Sequence, residues 1–235
     1  MSSPLEAAAA CPLFAIAARV DLVAGAAELS VTATIADVAA ERARAGRVAD
    51  AYLASVIEGL VLVFVDRGPG VSGGTAGLLR NLAGVVTSVT SSVLGHGIGR
   101  ADAEALLALR RFLHTRVRAT PEGPWAGVLV FPLDAPTAGR IADGSSAVAA
   151  GRWDDARAVL AEAMAGVVDL AIRHHLEEPI ALLRPGFVVR QALALGVGAI
   201  RTGALGALRR GIDRERDAQV EALARFLDGS LRPAP

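Results

Sequence analysis

From Ile180 to Ile212 the chain carries five arginines (Arg184, Arg190, Arg201, Arg209 and Arg210) and no acidic residue. Wound as a helix from Phe187, this stretch gathers Arg190, Gln191, Arg201, Thr202 and Arg209 on one narrow face. The remaining circumference, roughly two-thirds of it, is Ala, Val, Leu, Ile and Gly, which is too apolar for a helix facing water. Such a helix is the centre of a bundle, a contact with another protein or a second copy, or a helix lying on an anionic lipid surface. Gly196 and Gly203 stand seven residues apart and so face the same way, flanked by Ala192 and Ala199. A helical glycine costs about 1 kcal/mol relative to alanine, a cost that is offset when another backbone packs into the space. Arg190, Gly196, Arg201 and Gly203 are therefore marked as an interface or ligand face.

The rest of the composition favours helices too. Hydrophobic residues make up 53% of the 235 residues and aromatics only 4%. The apolar mass is Ala, Leu and Val rather than the Ile, Tyr, Phe, Trp and Thr that fill β-sandwiches. The expected fold is all-α, a multi-helix bundle of about seven or eight helices. A Pro-rich connection, "TPEGPWAGVLVFPLDAP", is expected to hold at most one short strand or hairpin, over "GVLVF". It separates an N-terminal half, 1–119, from a C-terminal half, 138–235, with the connection itself at 120–137, all within one globular unit.

Along the first half, Pro4–Asp66 reads as two or three helices, with Pro12 in a first turn or kink. Over 26–46 the alternation of Ser30, Thr32 and Thr34 suits a strand, but Val31, Ile35 and Val38 follow helical spacing, and helix is preferred with Gly46 as its stop. The 48–66 segment reads as a nearly buried helix with a β-branched end. Gly68–Gly74 is a breaker, Thr75 caps a helix to about Leu94, and a glycine-rich turn precedes a helix opened by Asp102 and Glu104. In the second half, helices are expected near 138–150, 154–176, 187–210 and 214–228. Gly151–Met164, with Trp153, Ala156, Leu160 and Ala163, resembles the second helix of a tetratricopeptide repeat. The likeness covers half of one repeat and no second copy follows, whereas a solenoid needs about three. It implies a helical hairpin and assigns no family.

Several chemistries are excluded by composition. All 24 basic residues are arginine, so there is no lysine for a Schiff base, a pyridoxal-phosphate site, a P-loop or a kinase. Cys11 is the only cysteine, which rules out internal disulfides and multi-cysteine zinc or iron–sulfur sites. The 24 basic residues balance 24 acidic ones, leaving no global field to attract nucleic acid. The N-terminus lacks a basic region, contains Glu6 and is broken by Pro12, so it is read as cytoplasmic rather than as a signal peptide.

Two motifs could carry chemistry. "AIRHHLEEP" places His174 and His175, half of the four histidines, ahead of Glu177 and Glu178. No Glu-x-x-His, HExxH or HxH spacing occurs, so neither a metal nor a cofactor is expected. The apolar seam Leu160, Met164, Val167, Ala171 reaches His174 in steps of four and three, so the stretch reads as a helix finishing before Pro179. Asp155, Glu162 and Asp169 line its outer face, with Asp169 and Arg173 as an i,i+4 pair. The second motif, Gly70-Val71-Ser72-Gly73-Gly74, fits the nucleophile elbow G-x-S-x-G, and Asp134 and His174 or His175 would complete a triad order. Four residues separate Val65 from Gly70, no parallel sheet is there to mount the motif, and it reads as an interhelical loop.

With no catalytic constellation, the chain is read as non-enzymatic: a helical adaptor, regulator or scaffold acting through protein–protein contact and self-association. The alternatives are a protein that binds an apolar small molecule or a lipid surface, and an enzyme with an unrecognised helical active site.

Overall fold

A computed structural model describes residues 11–29, 34–62, 73–120, 127–184 and 186–233. It is mostly helical, with eight helices, and the helical expectation holds in that coarse form. The all-α class is only roughly right, because a small sheet that extends beyond the connection adds to it. Four strands form an antiparallel sheet in the order β2-β3-β1-β4: β1 (Leu13–Ala18), β2 (Val117–Ala119), β3 (Gly127–Pro132) and β4 (Leu231–Arg232). β1 and β3 pair along their whole length, from Leu13 opposite Pro132 to Ala18 opposite Gly127.

The sheet explains why a segment expected to be helical is a strand. Phe14, Ile16, Leu129 and Phe131 point into the main core, while Leu13, Ala15 and Val130 form a smaller buried cluster on the other face. A strand buried on both faces is a continuous apolar run with no polar alternation, which periodicity cannot tell from a helix. β3 lies within the Pro-rich connection, over "GVLVF", as expected.

The helices are α1 (Val20–Ala27), α2 (Val38–Ile57), α3 (Gly73–Arg100), α4 (Ala103–Arg116), α5 (Ala135–Ala149), α6 (Trp153–Ile172), α7 (Phe187–Ile212) and α8 (Asp217–Ser230). α2 continues into a π-helical turn, Glu58–Leu62; α6 continues through a π-helical turn, Arg173–Glu177, and a last α-turn, Glu178–Leu182. Three starts are fixed by aspartates that accept backbone N–H groups: Asp37 from Ala39 and Ala40, Asp102 from Ala105, and Asp134 from Thr137. Gly46 does not end α2, and Gly95, Gly97 and Gly99 form part of α3 rather than a turn. Gly97 is there for space: a Cβ would lie 2.9 Å from Cδ1 of Leu183.

α5 and α6 form a tight hairpin through Gly151, whose φ of +69° favours glycine. A Cβ on Gly144 would collide with Leu160 across it. α2 packs on α3, α3 on α7 and α7 on α6, while α8 covers α5 and α6. One core cluster draws on β1, α2 and α4 as well as on β3, α6 and α8. Among the described residues no helix is long and apolar enough to cross a membrane.

Candidate functional site

The π-helical turn sets how His174 and His175 sit. Leu160, Met164, Val167 and Ala171 form the buried seam of α6 as expected. At Arg173–Glu177 the helix widens, and the Glu178 N–H bonds to the carbonyl of Arg173, five residues back. This extra residue per turn rotates the seam by one position. His175, 1% exposed, therefore continues the packing face, and His174 sits at its margin with a side chain 13% exposed. The expected assignment of the two is thus reversed. The helix also does not stop before Pro179, which enters the last α-turn. The widened turn immediately ahead takes up the ring–carbonyl conflict that a proline causes in a regular helix.

Around this turn four elements bring polar groups together. The Tyr52 hydroxyl of α2 hydrogen-bonds Nδ1 of His175. The rings of Tyr52 and Phe131 stand edge-on to the imidazole, with centroids 5.5 and 5.0 Å away, and Phe112 of α4 stands 6.0 Å from Tyr52. Outside them, Nη2 of Arg116 donates to Oε2 of Glu178 at 2.7 Å and lies 3.5 Å from Nδ1 of His174. Nδ1 of His174 is 2.6 Å from the other oxygen of Glu178. The guanidinium of Arg116 also sits 5.5 Å from the Phe112 ring centroid.

Burial dominates the electrostatics. Desolvation, with smaller contributions from Arg116 and His174, pushes His175 down to about 3 and keeps it neutral. Burial likewise raises Tyr52 far above the usual phenol range. His174 is lowered chiefly by desolvation, against the opposing pull of Glu178. At neutral pH the cluster holds one ion pair, Arg116–Glu178, around a neutral hydroxyl–imidazole pair. Among the described residues no group of three or more His, Cys, Asp or Glu side chains could hold a metal ion.

The residues marked from the sequence fall elsewhere. Arg190 and Gly196 lie on α7, at positions whose side-chain surroundings are outside the described residues. Arg201 pairs with Asp169 and, at 3.4 Å, with Glu177; Arg209 grips Glu162 through two bonds of 2.7 and 2.9 Å. Glu162 and Asp169 of the acidic stripe expected on the outer face of α6 thus form a docking edge for α7, whereas Asp155 pairs with Arg152. Gly203 lies on the other side of α7 and is exposed. Gly70 to Ser72 lie outside the described residues, and Asp134, the aspartate of the triad order, caps α5.

Tyr52, Phe112, Phe131 and Arg116 were not marked from the sequence. One signal was available: Tyr52 is the only tyrosine, and it interrupts the apolar spacing Val48, Leu53, Val56 with a hydroxyl that, once buried, needs a partner.

Fold and cluster together define a mostly helical protein built on a small antiparallel sheet, with a neutral Tyr–His pair at the junction of α2, α4, α6 and β3. No family model, curated protein or solved structure matches this chain.

Proposed function

We propose that this is a non-enzymatic helical protein that acts by protein–protein contact in the cytoplasm, as an adaptor, regulator or scaffold, and that it self-associates through α3 and α7. One observation carries the reading: among the described residues, a row of glycines on α3 and two glycines on α7 face open space, although Gly97 of α3 is filled by Leu183. On α3, a Cβ added at Gly77, Gly84, Gly95 or Gly99 meets nothing within 4 Å. Their spacings of 7, 11 and 4 residues put all four on one face of the helix. On α7, Gly198 is equally open and Gly203 is exposed. Elsewhere, Gly25, Gly59, Gly144 and Gly166 each press against a side chain of another element. Gly46 on α2, Gly139 on α5 and Gly229 on α8 are also open, but each is a single open glycine rather than part of a row.

Each such glycine costs about 1 kcal/mol of helix stability, and a close backbone partner is what makes a row of them useful. A second copy supplies that partner with the same surface, as closed two-fold dimers do. Light scattering should give a defined oligomer for the purified protein. The Gly84→Leu/Gly203→Leu double variant should be monomeric with an unchanged helical circular-dichroism signal. A monomeric unsubstituted protein across the micromolar range would overturn the reading.

A further inference from the structure

Residues 173–184, which lie between α6 and α7, are irregular at both ends. The π-helical turn opens this strap, and Arg184 closes it at φ +49°, the only non-glycine residue at positive φ among the described residues. Pro185 follows in the sequence, and a proline favours extended backbone in the residue before it, so Arg184 is held against its preference. Such strain persists only where the surroundings impose it. Here Leu176, Pro179, Ile180 and Leu183 are buried, with Leu183 set against Gly97 of α3. The polar ties are Arg116–Glu178 and Arg184–Glu104 to α4, and Arg201–Glu177 to α7. These pairs are part-exposed or exposed, and pairs of that kind hold weakly.

The strap also carries both histidines that folding removes from water, whereas His96 and His114 are exposed. A fall from neutral pH to about 5 protonates histidines and leaves carboxylates charged. Glu41 and Glu162, which tie α2 to α4 and α6 to α7, are held below the ordinary carboxylate range by Arg110 and Arg209. Mild acid therefore acts on this segment first. The imidazole of His175 faces Tyr52 from α2, Arg116 from α4, the Phe131 ring from β3 and His174 from its own turn. None of these is an anion. The carboxylate of Glu178 is engaged by Arg116 and His174, and Nε2 of His175 has no hydrogen-bond partner among the described residues. A second proton on the buried ring thus meets repulsion from Arg116 and no acceptor, whereas a ring in water takes it freely.

We propose that residues 173–184 form an acid-released strap: protonation of His175 drives its ring into water and lifts the segment off α3 and α4, while the sheet and the α5–α6 hairpin stay folded. The opening is a change within one chain and does not depend on self-association. Hydrogen exchange of the full-length protein at pH 7 and pH 5, corrected for intrinsic rates, tests it. One proton bound only by the open form should lower amide protection in the strap by about twentyfold over that interval. Low, non-denaturing urea should barely alter this exchange, because urea sensitivity follows the surface exposed and a local opening exposes little. Amides of β3 and α5 should be better protected and should respond to urea more steeply. Folded His175→Leu should lose most of the pH effect, and His174→Gln should retain a change of about tenfold or more. The proposal is overturned if strap protection is equal at the two pH values. It is equally overturned if the strap matches β3 and α5 in protection and urea response, since it would then open only when the whole chain unfolds. A fall of undiminished size in folded His175→Leu would also overturn it.

Discussion

Tyr52 and His175 lie 123 positions apart in the chain, yet they share a hydrogen bond in the buried centre of the protein. The bond links the middle of α2 to the π-helical turn of α6, so it reports on the packing of the N-terminal helices against the C-terminal ones. Removing the hydroxyl by Tyr52→Phe keeps the ring contacts with Phe112 and His175 but leaves Nδ1 of His175 without a partner. That should destabilise the protein by about 1–3 kcal/mol. A second change, His175→Leu, removes the stranded imidazole and should recover part of the loss. Urea denaturation of the two variants checks this; equal losses for single and double variants would show that the hydroxyl does not satisfy the imidazole.

The same histidine sets a pH dependence. Folding holds His175 neutral down to about 3, whereas an exposed histidine takes up a proton near 6.5. Between those values the unfolded chain binds more protons than the folded one. Stability is therefore full above about pH 6.5 and falls as the pH drops towards 3, by up to roughly 1.4 kcal/mol per pH unit for each such histidine. His174, also lowered by burial, adds a loss of the same sign. Denaturation midpoints measured between neutral and mildly acid pH should follow this fall, and His175→Leu should flatten it. An unchanged slope in that variant would place the acid sensitivity elsewhere.

A second buried polar contact has a purely structural role. Arg110 of α4 donates through Nε to Glu41 of α2 at 2.7 Å, with Nη2 2.5 Å from the other oxygen. Both side chains are buried, and the guanidinium holds the Glu41 carboxyl below its ordinary range. Removing Glu41 takes the carboxylate away from a buried guanidinium, so Glu41→Ala should cost up to about 3–5 kcal/mol, while Glu41→Leu/Arg110→Met should cost much less. Thermal denaturation of both variants tests it. A double variant as unstable as the single one would mean that the pair is worth more than the apolar packing that replaces it.

How much of this was legible in the sequence depends on how local the signal was. Helices α5 to α8 could be placed to within a few residues, because their apolar positions recur at helical spacing and their ends carry caps and breakers. β1 could not, because "LFAIAA" is buried on both faces and shows no alternation. The π-helical turn has no periodic signature, and a single inserted residue is enough to exchange the roles of His174 and His175. The arginines of α7 were visible as a stripe, and so were the acids of α6. That Arg201 meets Asp169 and Arg209 meets Glu162 is a matter of how two helices dock, which no local pattern contains.

The glycines of α3 and of the α5–α6 hairpin give opposite expectations for one substitution. At Gly144 an added methyl runs into Leu160, so Gly144→Ala should overpack the hairpin and cost about 1–3 kcal/mol. At Gly84 the space is open within the chain, so the methyl has only its helix propensity to express, a gain of up to about 1 kcal/mol. That holds for a single chain. If the row Gly77, Gly84, Gly95, Gly99 is where a second copy packs, the same methyl holds the two backbones apart and association weakens. The two effects separate by concentration, because an oligomer gains stability by mass action and a monomer does not. Melting temperatures of the unsubstituted protein should rise over a roughly hundredfold increase in concentration. Gly84→Ala should melt higher at the dilute end and show little or no rise. A variant that melts higher at every concentration, in parallel with the unsubstituted protein, would mean that this face of α3 meets only water, and the self-association reading would fall with it.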